Sequence, residues 1–156
     1  MKVLVLHGPN LNLLGSRNPA LYGSETLEEI NARLQEVARA RGVALETRQT
    51  NLEGELVTWL QSGEHDAVVI NPGGYAHSSV AIRDAMEICR QRGTPVVEVH
   101  LSNVHDREAF RQRLITAGRA SGVIAGFGPL SYELGLEAAI RLAATPGPQT
   151  ARREGA

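Results

Sequence analysis

Apolar residues in this chain come in short, dense runs separated by longer stretches of helical period. The runs at 2–6, 67–70, 96–99 and 122–125 are almost wholly apolar, as expected of strands buried on both faces. The run at 43–48 differs. There Val43, Leu45 and Thr47 alternate with Ala44, Glu46 and Arg48, so one face is expected to meet water and the strand to lie at a sheet edge. Between the runs, Leu27, Ile30, Leu34, Val37 and Ala38 share one helical face, Thr26 and Glu29 form a capping box, and Gly42 closes the helix. Leu52, Leu56, Trp59 and Leu60 form the stripe of a second helix ending at Gly63, with Trp59 read as a core anchor. A third helix begins at Ser78 or Ser79 and ends by Gly93, because Pro95 forbids its continuation. Phe110, Leu114 and Ile115 predict a short fourth helix. A fifth is expected over 131–144, where Gly135 costs about 1 kcal/mol relative to alanine and so implies close packing. No apolar period follows Thr145. Residues 145–156 are expected to be a disordered tail, and 1–144 a single catalytic α/β domain.

Alternation of strands and helices predicts an α/β fold, a flavodoxin-like three-layer sandwich around a five-stranded parallel sheet. An exposed second strand fits the order 2-1-3-4-5, whose switch point lies between strands one and three, and ligands bind at the carboxyl ends of strands there. The loops after strands one, three and four should therefore converge. The first, over 7–23, far exceeds the usual βα connection of roughly 2–6 residues. Together the loops carry His7, Asn10, Arg17, Tyr22, Asn71, His77 and His100. Each has a plain structural reading: Asn10, Asn71, Gly73 and Gly74 as turn residues, His77 as a helix cap, His100 as a hydrogen-bonded strand end, Tyr22 as a loop aromatic. Their convergence at one end of the sheet favours chemistry.

Composition narrows the options. With a net charge of -1 over 156 residues and scattered arginines, no surface is built for nucleic acid. Cys89 is the only cysteine, which excludes a disulfide framework or a cysteine zinc site. The apolar run at 2–6 is too short for a signal peptide or a membrane span, so a soluble cytoplasmic protein is expected. A receiver-type phosphotransfer site would need acids after strands one and three, where His7 and Asn71 stand. Lys2, the only lysine, lies at the wrong end of the sheet for a Schiff base in the pocket. Metal-binding and nucleotide-binding motifs do not occur. Two other readings stay open: a hydrolase using Ser78 or Ser102 with His77 or His100, which lacks a nucleophile elbow, and a non-catalytic flavodoxin-like module binding FMN, for which aromatics are scarce at 4%.

Proton transfer by side chains alone, without cofactor or metal, remains the leading reading. An ordinary tyrosine, with a pKa of about 10, is a poor base at neutral pH. Lowering that value by about three units takes roughly 4 kcal/mol of preferential stabilisation of the phenolate. Arg17, in the same loop as Tyr22, is the group placed to supply it if the loop folds over the site as a lid.

The motifs Gly8-Pro9-Asn10-Leu11-Asn12, Arg17-x-Pro19-x-x-Tyr22-Gly23, Asn71-Pro72-Gly73 leading to His77, Arg83-Asp84-Ala85 and Glu98-Val99-His100-Leu101-Ser102-Asn103 resemble the type II 3-dehydroquinate dehydratases of the shikimate and quinate pathways, over nearly the whole chain before the tail. The resemblance implies a trans elimination of water from 3-dehydroquinate to 3-dehydroshikimate through an enolate. On that pattern Tyr22 is the base, Arg17 its activator, and His100, oriented by Glu98, the acid. Asn10 helps hold a water at the enolate oxygen. The resemblance further implies that Asn71, His77 and Arg111 bind substrate, that the backbone N–H groups of Leu101 and Ser102 grip its carboxylate, and that Asp84 reaches a neighbouring subunit's site in a dodecamer built of trimers. Arg107 is retained with Arg111. The chain departs from the family over 112–121, where Gln112-Arg113-Leu114 stands in place of the common His-Ser pair, and at Gly74 and Ala76.

Overall fold

The computed structural model describes residues 1–145; of the tail expected over 145–156, all but Thr145 lies outside the described residues. Strands β1 (Lys2–His7), β2 (Ala44–Gln49), β3 (Ala67–Asn71), β4 (Val96–His100) and β5 (Gly122–Ala125) pair in parallel in the order β2-β1-β3-β4-β5. His7 lies level with Gln49 on one side and Asn71 on the other, so β1 and β3 end together. Helices α1 (Pro19–Tyr22), α2 (Leu27–Ala40), α3 (Glu53–Gln61), α4 (Val80–Gln91) and α5 (Leu130–Ala144) complete the described elements with several 3-10 turns.

Strand alternation divides the apolar side chains between two cores. Val3, Val5, Val69, Val97 and Val99 face α2 and α5, where Ile30, Leu34, Leu136 and Ala139 meet them. Leu4, Leu6, Val68, Ile70 and Val96 face α3 and α4, against Leu56, Leu60, Ile82 and Met86. This is the expected three-layer arrangement. The capping box of α2 is formed on both sides: Glu29 N–H donates to Thr26 Oγ1 at 3.2 Å and Thr26 N–H to Glu29 Oε2 at 2.8 Å. Ser79 caps α4 by accepting from Ile82 N–H at 2.9 Å.

Some expectations need correction. Strand β2 is at the edge, yet the face carrying Glu46 and Arg48 is half-buried beneath polar contacts. Glu46 takes Lys2 Nζ at 3.1 Å and His65 Nε2 at 3.0 Å as well as Arg48. Hydrogen bonds from His65, Lys2 and Arg48, in that order of weight, hold its carboxyl down at about 2. The stripe of α3 loses its first member. Leu52 precedes the helix, its N–H donates to Thr50 Oγ1 at 3.0 Å, and its side chain is 62% exposed. Trp59 is half-buried at the margin of the core, with the Arg48 guanidinium 5.4 Å from its ring centroid.

The helix expected around Phe110, Leu114 and Ile115 is instead a pair of 3-10 turns, Ala109–Arg111 and Ala117–Arg119. Its backbone is satisfied by another loop: Ile115 N–H donates to Ala76 O at 2.9 Å, and Arg113 O accepts from His77 Nδ1 at 3.0 Å. Strand β5, although apolar in sequence, is only half covered, with Val123 exposed.

Two features of the α5 face give tests. A Cβ at Gly135 would lie 2.5 Å from Val99 Cγ1 and 3.4 Å from Val69 Cγ1, so α5 can approach β3 and β4 only without a side chain there. Gly135→Ala should lower stability by about 1–3 kcal/mol through overpacking, despite the better helix propensity of alanine, and equal or higher stability in thermal denaturation would refute this. The second feature is His7, fully buried between Tyr132 Oη at 2.7 Å from Nδ1 and Asn31 Oδ1 at 2.8 Å from Nε2. Burial pushes its pKa down from 6.5 to about 4, against the opposing pull of the Asn31 hydrogen bond. The unfolded chain therefore binds a proton that the folded one refuses between these values. Stability from this group is fully present above pH 6.5 and lost as pH falls through about 4, at most about 3 kcal/mol. Denaturant titrations at pH 7 and pH 4 should show His7→Gln losing less stability than the parent over this interval.

Candidate active site

The three loops meet because the backbones after β1 and β3 touch. Gly8 N–H donates to Asn71 O at 2.8 Å, and a Cβ on residue 8 would fall 2.7 Å from Pro72 O. Only glycine permits that approach. The chain then passes Asn10, which is left-handed at φ 67° and whose N–H donates to Asn51 Oδ1 at 3.0 Å. Leu11 and Leu14 bury their side chains in the α2–α5 core and pin the long loop down, and Pro19 opens the short helix α1 that carries Tyr22. After β3, Asn71 Oδ1 accepts from Gly73 N–H at 3.0 Å, an Asx turn that leads into the 3-10 turn Gly73–His77. After β4, Asn103 Oδ1 accepts from His105 N–H at 3.1 Å and starts the turn Val104–Asp106.

These loops enclose a cleft of about 140 Å³ at the carboxyl end of the sheet. Of the residues singled out in the sequence, Asn10, Arg17, Tyr22, Asn71, His77, His100, Leu101, Ser102 and Arg111 line it. Glu98 stands directly behind. Being two residues before His100 on β4, its side chain leaves the strand on the same face, and the two meet with Glu98 Oε1 2.7 Å from His100 Nε2. Glu98 is wholly buried and acts as acceptor, so Nε2 carries a proton and Nδ1 is the ring nitrogen left for exchange. His77 does not cap α4. Its Nδ1–H is given to Arg113 O, and its ring meets Phe110 edge-on at 6.3 Å. Asp84 is not brought to the cleft; it is exposed on α4 beside Arg83, 3.5 Å away.

Around Tyr22 the arrangement is richer than the sequence suggests. The Arg17 guanidinium lies over the ring, 4.7 Å from its centroid, and does not reach the hydroxyl. The oxygen belongs to Arg107, whose Nη1–H donates to Tyr22 Oη at 3.1 Å and to Ser102 Oγ at 3.3 Å. Arg107 was recognised in sequence only as a retained arginine; nothing in the local pattern shows that a residue 85 positions away closes on Tyr22. Arg17, Arg107, Arg111, His77 and His100 face the cleft, and among the described residues no acid lines it. Such a lining selects a small anion with several polar groups. Among the described residues, no group of three or more His, Cys, Asp or Glu side chains is arranged to hold a metal ion.

Comparison with known proteins decides the affiliation: residues 1–140 match the family described as dehydroquinase class II. The chain belongs to this family. It is 55% identical over 144 residues to a 3-dehydroquinate dehydratase of Desulforudis audaxviator, covering 91% of this chain and 94% of that one. It is 52% identical over 142 residues to its counterpart of the same name in Prochlorococcus marinus, with 90% and 93% covered. A solved structure of type II dehydroquinase from Butyrivibrio crossotus superimposes with a TM-score of 0.85 at 37% identity, covering 93% of this chain and 98% of that one. The class II dehydroquinase family thus accounts for the sheet order and the loop motifs together.

Proposed function

We propose that this chain is a 3-dehydroquinate dehydratase, a hydro-lyase that removes water from 3-dehydroquinate by trans elimination through an enolate to give 3-dehydroshikimate, in the shikimate pathway of aromatic amino acid biosynthesis. The observation that carries the reading is a phenol whose oxygen is bound by one guanidinium and whose face is covered by another, in a cleft that no acid among the described residues lines, shared with a carboxylate-backed histidine. The two cations hold positive potential at the Tyr22 oxygen, the condition under which it can serve as a phenolate base. The electron pair of the broken C2–H bond moves into the C2–C3 enolate as Tyr22 takes the proton. When the enolate collapses, the pair forms the C1=C2 bond, and the C1 hydroxyl departs as water with a proton from His100. Glu98 steadies the imidazolium that gives it. Asn10, on the cleft lining, holds a water at the enolate oxygen in this reading. Arg111, His77, Asn71 and the backbone of Leu101 and Ser102 supply the grip on the substrate's carboxylate and hydroxyls. No step calls for a metal or a cofactor.

A flavin-binding role has little support, since among the described residues Tyr22 is the only aromatic ring other than histidine on the cleft lining and both its face and its oxygen are engaged by arginine. A serine hydrolase is likewise disfavoured, because Ser102 Oγ is bound by Arg107 and not by a histidine.

We further assign residues 1–144 as one catalytic domain of a cytoplasmic homo-oligomer, a dodecamer built of trimers. Among the described residues no helix is long and apolar enough to cross a membrane. Val123, Phe127 and Leu130 leave an apolar surface beside the edge strand β5, and Asp84, exposed on α4 and paired with Arg83, is presented to a neighbour's cleft.

The ultraviolet absorbance of the enone product gives the assay. Purified protein should generate it from 3-dehydroquinate, and a protein that does not would end the proposal. Tyr22→Phe should lower kcat by about 10²- to 10⁴-fold with an unchanged circular dichroism spectrum, whereas near-parental turnover would remove Tyr22 as the base. Arg107→Gln should cost about 10²-fold in kcat, and a loss below about threefold would leave Arg17 as the sole activator.

A further inference from the structure

Glu108 is absent from the cleft lining, yet it pairs with two arginines that belong to it. After the turn Val104–Asp106 the chain is extended at Arg107, and Arg111 N–H then donates to Glu108 O at 2.8 Å to close the turn Ala109–Arg111. A 3-10 helix has about three residues per turn, so residues 108 and 111 present their side chains on one side. Glu108 Oε2 accordingly lies 3.0 Å from Arg111 Nε, and 3.7 Å from Nε of the preceding Arg107. Among the described residues it is the one acid paired with either arginine. Its own backbone N–H first, and then the charges of Arg111 and Arg107, hold the carboxyl below the usual carboxylate range, so the group is an anion at neutral pH.

Both ion pairs are made to Nε, the guanidinium nitrogen nearest the chain, which leaves the terminal nitrogens for the cleft. Arg107 uses Nη1 on Tyr22 Oη and Ser102 Oγ. Arg111 is braced a second time, its guanidinium carbon 5.1 Å from the centroid of the Phe110 ring. The two arginine side chains are 10% and 23% exposed, whereas Glu108 is 55% exposed. Water therefore screens its charge from the Tyr22 oxygen. What the carboxylate supplies is a fixed bearing for two long side chains that would otherwise rotate.

We infer that Glu108 is a positioning residue that aims both cleft arginines, Arg107 at the phenol of Tyr22 and Arg111 at the substrate. The inference rests on the dehydratase reading, in which Arg107 stabilises the base and Arg111 grips the substrate. Its two arms have separate kinetic signatures: misplacing Arg107 lowers kcat, and misplacing Arg111 raises KM. A pure charge effect has the opposite sign, because removing an anion raises the positive potential at the phenol and favours the phenolate.

The test uses the full-length protein. Glu108→Ala should lower kcat about three- to fivefold and raise KM for 3-dehydroquinate by a similar factor, with an unchanged melting temperature. Glu108→Gln removes the charge but keeps an oxygen that can accept from Nε–H, and should stay within about twofold of the parent in both constants. On an Arg107→Gln background Glu108→Ala should still raise KM while changing kcat by less than about twofold, and on an Arg111→Gln background it should still lower kcat while leaving KM within about twofold. Parental or raised kcat in Glu108→Ala, equal losses in the Ala and Gln variants, or undiminished losses on both arginine backgrounds overturn the inference while leaving an active parent as support for the dehydratase. A lower melting temperature with parental kinetic constants marks a folding role and overturns it too. An inactive parent removes both.

Discussion

The contact on which the site depends is between two stretches of main chain. Residue 8 comes so close to the carbonyls of Asn71 and Pro72 that no side chain fits, and a hydrogen bond from its N–H holds the two strand ends level. The loop after β1 therefore leaves the sheet over the loop after β3, and Asn10, Tyr22, Asn71 and His77 fall around one cleft. A substituent at position 8 would push these loops apart before any reacting group was touched. The parallel sheet supplies the rest, because His100 and Glu98 rise from the neighbouring strand on one face.

Much of this was legible in the chain, for reasons that differ by element. Dense apolar runs and an alternating one identified the strands and put β2 at an edge, since strand burial is written locally in period two. Capping at Thr26 and Ser79 was equally local. What escaped was tertiary. The segment around Leu114 and Ile115 has apolar residues enough for a helical turn, yet its backbone groups are claimed by Ala76 and His77, which no window of sequence contains. Leu52 matched a stripe but lies before the first helical turn.

The site shows the same division. Loop length and the strand-end rule brought Tyr22, His100, Asn71 and His77 together on paper, and the cleft contains them. The division of labour between two arginines was invisible: proximity in sequence favoured Arg17 for the hydroxyl, whereas the fold gives Arg17 the ring face and Arg107 the oxygen. Asp84 marks the opposite limit, a motif residue that the single chain leaves outside its own cleft. Concentrating cations, with no acid among the described lining residues, is tolerated at the mouth of a cleft that water can reach, and it reserves the space for an anion.

The stretch from 112 to 116 is held by its peptide groups: the carbonyl of Arg113 and the N–H of Ile115 do the bonding, and any residue but proline brings the same N–H to position 115. The exposed Arg113 side chain is accordingly released from duty to the pocket, whereas Gln112 Nε2 donates to His105 O at 3.4 Å and Thr116 is wholly buried. Position 113 can therefore change its side chain at little cost while its carbonyl still props up a cleft-lining histidine.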